Sequence, residues 1–294
     1  MEYAYVTLIA AAALWGAAAG VLVPRPAYRM SVEPEEAWRN ACPAGHPLTG
    51  PAQGWLGTAS CASCAVSPVP AVSAPVPAAT PGPGAPEVPG DGPPDADAPG
   101  GTDRPDGTAV RAPAVYRNSV VVPAVTALAC AALAAAVGSR PELAVWLLLA
   151  PFAVLLALVD RHVHRLPDQL TLPLAVAAAV LLGGAALLPG AGGSWPTALL
   201  GGPVLGAAYL VLFLVNPNGM GFGDVKLALS LGVALGWYGW EVLFVGAFAG
   251  FLLGAVYGLG LVVLRGAGRG TAIPFGPFMI SGALLGMLLG ALAV

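Results

Sequence analysis

Charge is what this chain of 294 residues has least of: Asp, Glu, Lys and Arg together make up 9%, far too few to coat a soluble globule of that size. The balance of 12 basic against 15 acidic residues, a formal net charge of −3, excludes a general polyanion binder and rules out nucleic acid as a partner. Cysteine is scarce as well, and four residues cannot form a disulfide scaffold. In place of charge the chain is 57% hydrophobic, with a mean hydropathy of +0.79. It reads as a membrane protein whose solvent is the lipid bilayer. Gly (40) and Pro (30) are both frequent, and the prolines cluster.

A span needs roughly 20 apolar residues. The first runs from Tyr3 to Val23, with Glu2 before it and Arg25 and Arg29 after it. Basic residues on the C-terminal side are the reverse of a signal peptide, so this segment is expected to be a retained anchor with its N-terminus outside. From Ser119 onward the apolar sequence is broken only by short polar or Gly/Pro punctuation, which predicts seven more helices at 119–138, 142–159, 169–188, 196–215, 225–237, 240–264 and 275–294. The fold class is therefore an all-α polytopic membrane protein with about eight spans. Eight crossings would put eleven of the twelve basic residues on the cytoplasmic side, leaving Arg140 outside. The helix at 225–237 is short, and Trp237, Tyr238 and Trp240 after it form a cluster typical of an interface.

Four parts follow: the first span at 1–23, a small cytoplasmic Cys/His-containing piece at 24–64, a linker at 65–118 and a seven-helix membrane domain at 119–294. Ala65 to Ala112 has 12 prolines in 48 residues and no apolar periodicity, so a disordered linker is expected.

The membrane domain holds five acids: Glu142, Asp160, Asp168, Asp224 and Glu241. Glu142 and Glu241 fall on external loops, and the other three at cytoplasmic helix ends, where an ionisable group is costly enough to be a functional candidate. Asp168 follows Pro167 and begins a helix, so it reads as a cap for orphan N–H groups. Asp160 ends the apolar run LLALVD, where a helix C-terminus disfavours an anion. Asp224 stands in the run Gly221-Phe222-Gly223-Asp224-Val225-Lys226, whose glycines allow close backbone approach. An acid/base pair of Asp160 and Asp224 and two independent surface caps are both compatible with the spacing.

The stretch Val159 to Pro173 (VDRHVHRLPDQLTLP), the run GFGDVKLALSLG from Gly221, and Ile273-Pro-Phe-Gly-Pro-Phe278 together resemble the type IV prepilin peptidases, GxGD-type aspartic proteases with eight helices in the bacterial inner membrane. The resemblance covers about Ser119 to Val294. It implies that Asp160 and Asp224 are the catalytic pair, activating a water at the cytoplasmic face to remove the short basic leader of a prepilin or pseudopilin without a metal or other cofactor. By the same resemblance, Gly221, Gly223, Lys226, Pro167, Asp168 and Pro274 support the site or bind substrate. Lys226 is placed to position Asp224, to meet lipid headgroups or substrate, or simply to anchor the inside end.

Bifunctional members of that family carry two Cys-x-x-Cys pairs and N-methylate the product with S-adenosylmethionine. Here Cys61-Ala-Ser-Cys64 is intact, and the other pair has become Cys42-Pro-Ala-Gly-His46. Cys42, His46, Cys61 and Cys64 would make a Cys3His zinc site. The altered pair and the proline-rich insertion count against the methyltransferase half, and no Gly-rich nucleotide loop precedes a helix in 24–118. Cys130, among alanines, reads as packing. A proton- or cation-coupled transporter is the competing function, but it calls for midplane acids and internal repeats.

Overall fold

The computed structural model describes residues 2–33, 36–66, 116–217, 219–265 and 273–294. The expected linker at 65–118 lies, but for its ends, outside these residues, as do Arg104, Arg111 and Arg269. Among the described residues the chain is helical with no strand. The N-terminal part holds α1 (Glu2–Leu22), α2 (Pro24–Met30), α3 (Pro51–Gly54) and α4 (Ala62–Val66). The membrane domain holds α5 (Val121–Val137), α6 (Glu142–Val163), α7 (Asp168–Ala186), α8 (Trp195–Val215), α9 (Phe222–Gly236), α10 (Trp240–Arg265) and α11 (Gly276–Ala293).

Six helices are long and apolar enough to cross a membrane, α1 and α2 together counting as one at Glu2–Met30. The chain is thus a multi-span helical membrane protein. The sequence predicts eight spans; α5, at 17 residues, and α9, at 15 residues with Asp224 and Lys226 in its first turns, fall short of spanning length. A second difference is at the first helix, which continues past Leu22 because prolines are tolerated in the opening turn of α2. Arg25 and Arg29 consequently lie on a helix and are buried, clasped by the loop that follows. Arg25 Nη2 donates to Thr49 O at 2.6 Å, and Arg29 Nη1 to Gln53 O at 3.0 Å, with the Arg29 guanidinium over the Trp55 ring.

Backbones approach closely where helices meet through glycine. A Cβ on Gly16 of α1 would sit 2.6 Å from Thr126 O of α5. One on Gly232 of α9 would collide with Gly201 O of α8, and one on Gly282 of α11 with Gly250 N of α10. In hydrocarbon there is no hydrophobic gain from pairing two apolar helices, so small residues that admit tight van der Waals contact decide which helices pair.

One end of the bundle is tied by long-range hydrogen bonds. Arg140 Nη1 donates to Ala291 O at 2.9 Å, Gly192 N to Glu142 Oε1 at 3.1 Å, Ser194 N to Trp237 O at 2.8 Å, and Trp146 Nε1 to Tyr238 Oη at 3.1 Å. This corrects two expectations. Glu142 is completely buried, because the 187–194 loop folds over it, although the sequence places it on an external loop. Trp237 is also fully buried, and of the expected aromatic interface only Trp240 is exposed.

Gly232→Val is expected to cost about 1–3 kcal/mol by overpacking, read as a lower melting temperature in detergent. Gly184→Ala, where an added Cβ meets nothing within 4 Å, should leave the melting temperature unchanged or raise it.

Candidate functional site

The end of the bundle opposite Arg140 gathers the carboxylates. α6 runs on through Asp160 to Val163 rather than stopping at 159, and closes at His164, which is left-handed (φ 50, ψ 41) and whose N–H bonds Asp160 O at 2.8 Å. Asp160 therefore sits one turn inside the helix. Its side chain is buried, and Oδ2 accepts the N–H of Gly276 at 2.9 Å. That N–H belongs to the first turn of α11, where donors have no intrahelical partner. A Cβ on Gly276 would lie 2.8 Å from the same oxygen, so the glycine is what lets α11 approach the acid.

Asp224 is the third residue of α9 after the N-cap Gly221, and its Oδ2 accepts the Gly221 N–H at 3.2 Å. This is the carboxylate half of a capping box, with the negative charge at the favourable end of the helix dipole. Asp224 is buried, and Asp160 is near enough for its charge to act on it. Burying two carboxylates is costly unless each has hydrogen-bond donors, and both have a backbone N–H. Tyr209, also buried and within electrostatic reach of Asp224, stacks on Phe251 at 5.3 Å between ring centroids.

Gly223 lets the Leu166-Pro167 loop approach: its added Cβ would lie 3.1 Å from Leu166 Cβ and 3.3 Å from Leu166 N. At Gly221 a Cβ would make only an ordinary contact with Asp224. Asp168 opens α7 with Pro167 as N-cap, and no side chain caps that helix, which corrects the reading of Asp168 as a cap. Its Oδ2 instead takes Lys226 Nζ of α9 at 2.6 Å, and Lys226 also lies over the Phe222 ring at 4.9 Å. Proximity to an ammonium gives the carboxylate a stronger partner than an orphan N–H. Pro274 lies in the short extended stretch leading into α11 and so into Gly276.

Cys42, His46, Cys61 and Cys64 come together at one point, their ligand atoms all within 4.8 Å of one another. Cys42 Sγ lies 3.6 Å from His46 Nδ1 and 3.7 Å from Cys64 Sγ. His46 Nδ1 is 3.3 Å from Cys64 Sγ and 3.7 Å from Cys61 Sγ. A tetrahedral ion with sulfur at about 2.3 Å and nitrogen at about 2.0 Å sets neighbouring ligands about 3.5–3.8 Å apart, so this group can hold a structural metal ion. The Cys64 backbone N–H, aided by thiol hydrogen bonds, lowers the Cys61 thiol to about 7. Its hydrogen bond to Cys61 raises Cys64 to about 11. Cys130 is buried in the core, as expected.

Gly276 and Tyr209 were not singled out from the sequence. The Pro-Phe-Gly-Pro motif was the available signal for Gly276, and Tyr209 had none within its apolar run.

Residues 147–259 match the type IV leader peptidase family. Among curated relatives, a prepilin leader peptidase/N-methyltransferase of Aeromonas salmonicida is 38% identical over 154 residues, covering 49% of this chain and 48% of the relative. One from Pseudomonas aeruginosa is 34% identical over 140 residues, covering 46% of each. The chain thus spans about half the length of the curated relatives it matches. No solved structure matches it. With Asp160 and Asp224 both inside the matched segment, residues 147–259 make up a domain of the type IV leader peptidase family.

Proposed function

We propose that the chain is a membrane aspartic endopeptidase, with Asp160 and Asp224 as its catalytic pair, that removes the short basic leader of a prepilin or pseudopilin at the cytoplasmic face of the inner membrane. The observation that carries this reading is the burial of two carboxylates from separate helices at one end of an apolar bundle, each held by a backbone N–H. Such acids are retained against their cost where they serve function.

The reaction needs one carboxyl ionised and one in its acid form. The ionised carboxylate takes a proton from water as the water oxygen attacks the scissile carbonyl carbon, and the acid gives its proton to the carbonyl oxygen. Collapse of the resulting diol breaks the C–N bond, with a proton passing to the leaving amine. No cofactor is required for these steps. The Gly276 and Gly221 N–H groups fix one oxygen of each acid and leave the other for the water. The Lys226–Asp168 pair ties α9 to α7 beside Asp224 and so positions that acid.

The N-terminus is outside and the acids are cytoplasmic, which agrees with Arg161, Arg165 and Lys226 sharing their end of the bundle while Arg140 lies at the other. Residues 24–64 form a module in which Cys42, His46, Cys61 and Cys64 hold zinc; the ion, when bound, supplies folding energy to the module. Residues 65–118 link it to the peptidase part at 119–294. The relatives' names include N-methyltransferase, which favours, as a second reading, S-adenosylmethionine-dependent methylation of the new N-terminus, against what the altered cysteine pair suggests. Transfer of a labelled methyl group to the cleaved product tests it.

Coexpressed with a prepilin, Asp160→Asn and Asp224→Asn should each lower cleavage at least about 100-fold, with the protein still inserted, as measured by gel shift and mass spectrometry of the leader. Asp168→Asn, which loses a partly exposed ion pair worth about 1 kcal/mol or less, should stay within a few-fold of the parent. Equal inactivation by all three would overturn the choice of Asp160 over Asp168.

Purified protein should carry about one zinc per chain, lost when Cys61 and Cys64 are both replaced by Ser, as measured by elemental analysis. Cleavage should outlast metal removal, since the acids do the chemistry. Cleavage that stops on chelation and returns only with zinc would count against an aspartic mechanism.

A further inference from the structure

His164 stands out on two independent counts. It is the only non-glycine residue with a left-handed backbone among the described residues outside the 52–53 turn. The position after a helix favours glycine, and a side chain there costs about 1–2 kcal/mol. Both of its ring nitrogens are shielded from solvent and have no hydrogen-bond partner. A neutral imidazole carries one donor and one acceptor, and leaving a buried polar atom unsatisfied costs about 1–3 kcal/mol. The neighbouring His162 shows the ordinary outcome, with its Nδ1 at 2.7 Å from Leu158 O. Strain and unsatisfied polarity at the same residue need compensation elsewhere, and such residues cluster at functional sites.

The location supplies the context. The His164 N–H bonds the carbonyl of Asp160, and two residues later Leu166 packs on Gly223, next to Asp224. His164 therefore lies on the stretch of chain that joins the two acids. The other unpartnered buried side-chain atoms, on Glu142, Trp237, Arg25 and Arg29, lie at the tied end of the bundle or on α2.

We infer that His164 is a substrate-binding residue whose imidazole hydrogen-bonds the peptide backbone of the substrate beside the scissile bond. The inference rests on the peptidase reading for its substrate class. One ring N–H and one ring lone pair match the C=O and N–H of a peptide unit, so a single bound segment of main chain satisfies both nitrogens. Reaching the segment takes a rotation of the ring out of its shielded position, a side-chain adjustment common on binding. The left-handed backbone is kept because it sets where the ring starts.

The test uses the full-length Asp224→Asn protein in detergent and a fluorescein-labelled synthetic peptide with a Lys/Arg-rich leader ending in Gly, followed by apolar residues. Adding His164→Gly, which relieves the backbone strain and removes the ring, should weaken peptide binding by about tenfold while the melting temperature holds or rises. His164→Asn, which tolerates the left-handed backbone and keeps a donor and an acceptor, should bring binding back to within about threefold of the parent. Unchanged binding by the Gly variant would overturn the inference and leave His164 a strained helix cap. Cleavage by otherwise wild-type protein is read in parallel. A peptide that binds through His164 but is not cut overturns the peptidase reading and leaves the inference standing, and a peptide that does not bind the parent overturns both.

Discussion

The architecture depends on the close contact of helix backbones through glycine. Lipid tails and leucine side chains are equally apolar, so no helix pair gains by hiding from solvent, and the pairs that form are those that can approach most closely. Gly201 with Gly232 brings α8 against α9, and Gly250 with Gly282 brings α10 against α11. These pairings matter for the chemistry because Asp224 rides on α9 and Gly276 opens α11. The same choice of residue recurs at the acid itself, where Gly276 leaves room for a carboxylate that any side chain would displace.

The carboxylates are held by the ends of helices. Each accepts an N–H from a first turn, where donors are unpaired and the dipole is positive, so the protein stabilises buried acid without a strong cationic partner in direct contact with either one. Lys226 is drawn off to Asp168 instead. A carboxylate paired directly with an ammonium would be a poorer base, and the separation keeps Asp224 available for proton transfer.

Much of this was legible in the sequence. Helix positions followed from apolar runs and Gly/Pro punctuation to within a few residues, and the choice of Asp160 and Asp224 followed from glycine spacing, helix-end position and resemblance. The Cys42-His46 and Cys61-Cys64 spacings foretold the cluster that forms. What was missed depends on distant parts of the chain. The end of α6 was placed before Asp160, since a basic run looks like a loop until His164 is seen to close the helix. Asp168 looked like a cap because Lys226 is 58 residues away. Glu142 looked exposed because nothing local reveals that the 187–194 loop covers it. Arg25 and Arg29 looked like topological markers, and their burial requires carbonyls more than twenty positions along the chain.

The hydrogen bonds at the Arg140 end act mechanically as a pivot. Four of them join segments far apart in sequence, so helices cannot separate there without breaking several bonds together. The 22 residues of α6 extend about 33 Å from that pivot. A tilt of one helix against its neighbours, too small to strain the bonds at the fixed end, grows in proportion to distance along the axis and is greatest at the carboxylates. The bundle works like tweezers hinged at one end, with its freedom to part concentrated where a peptide has to enter.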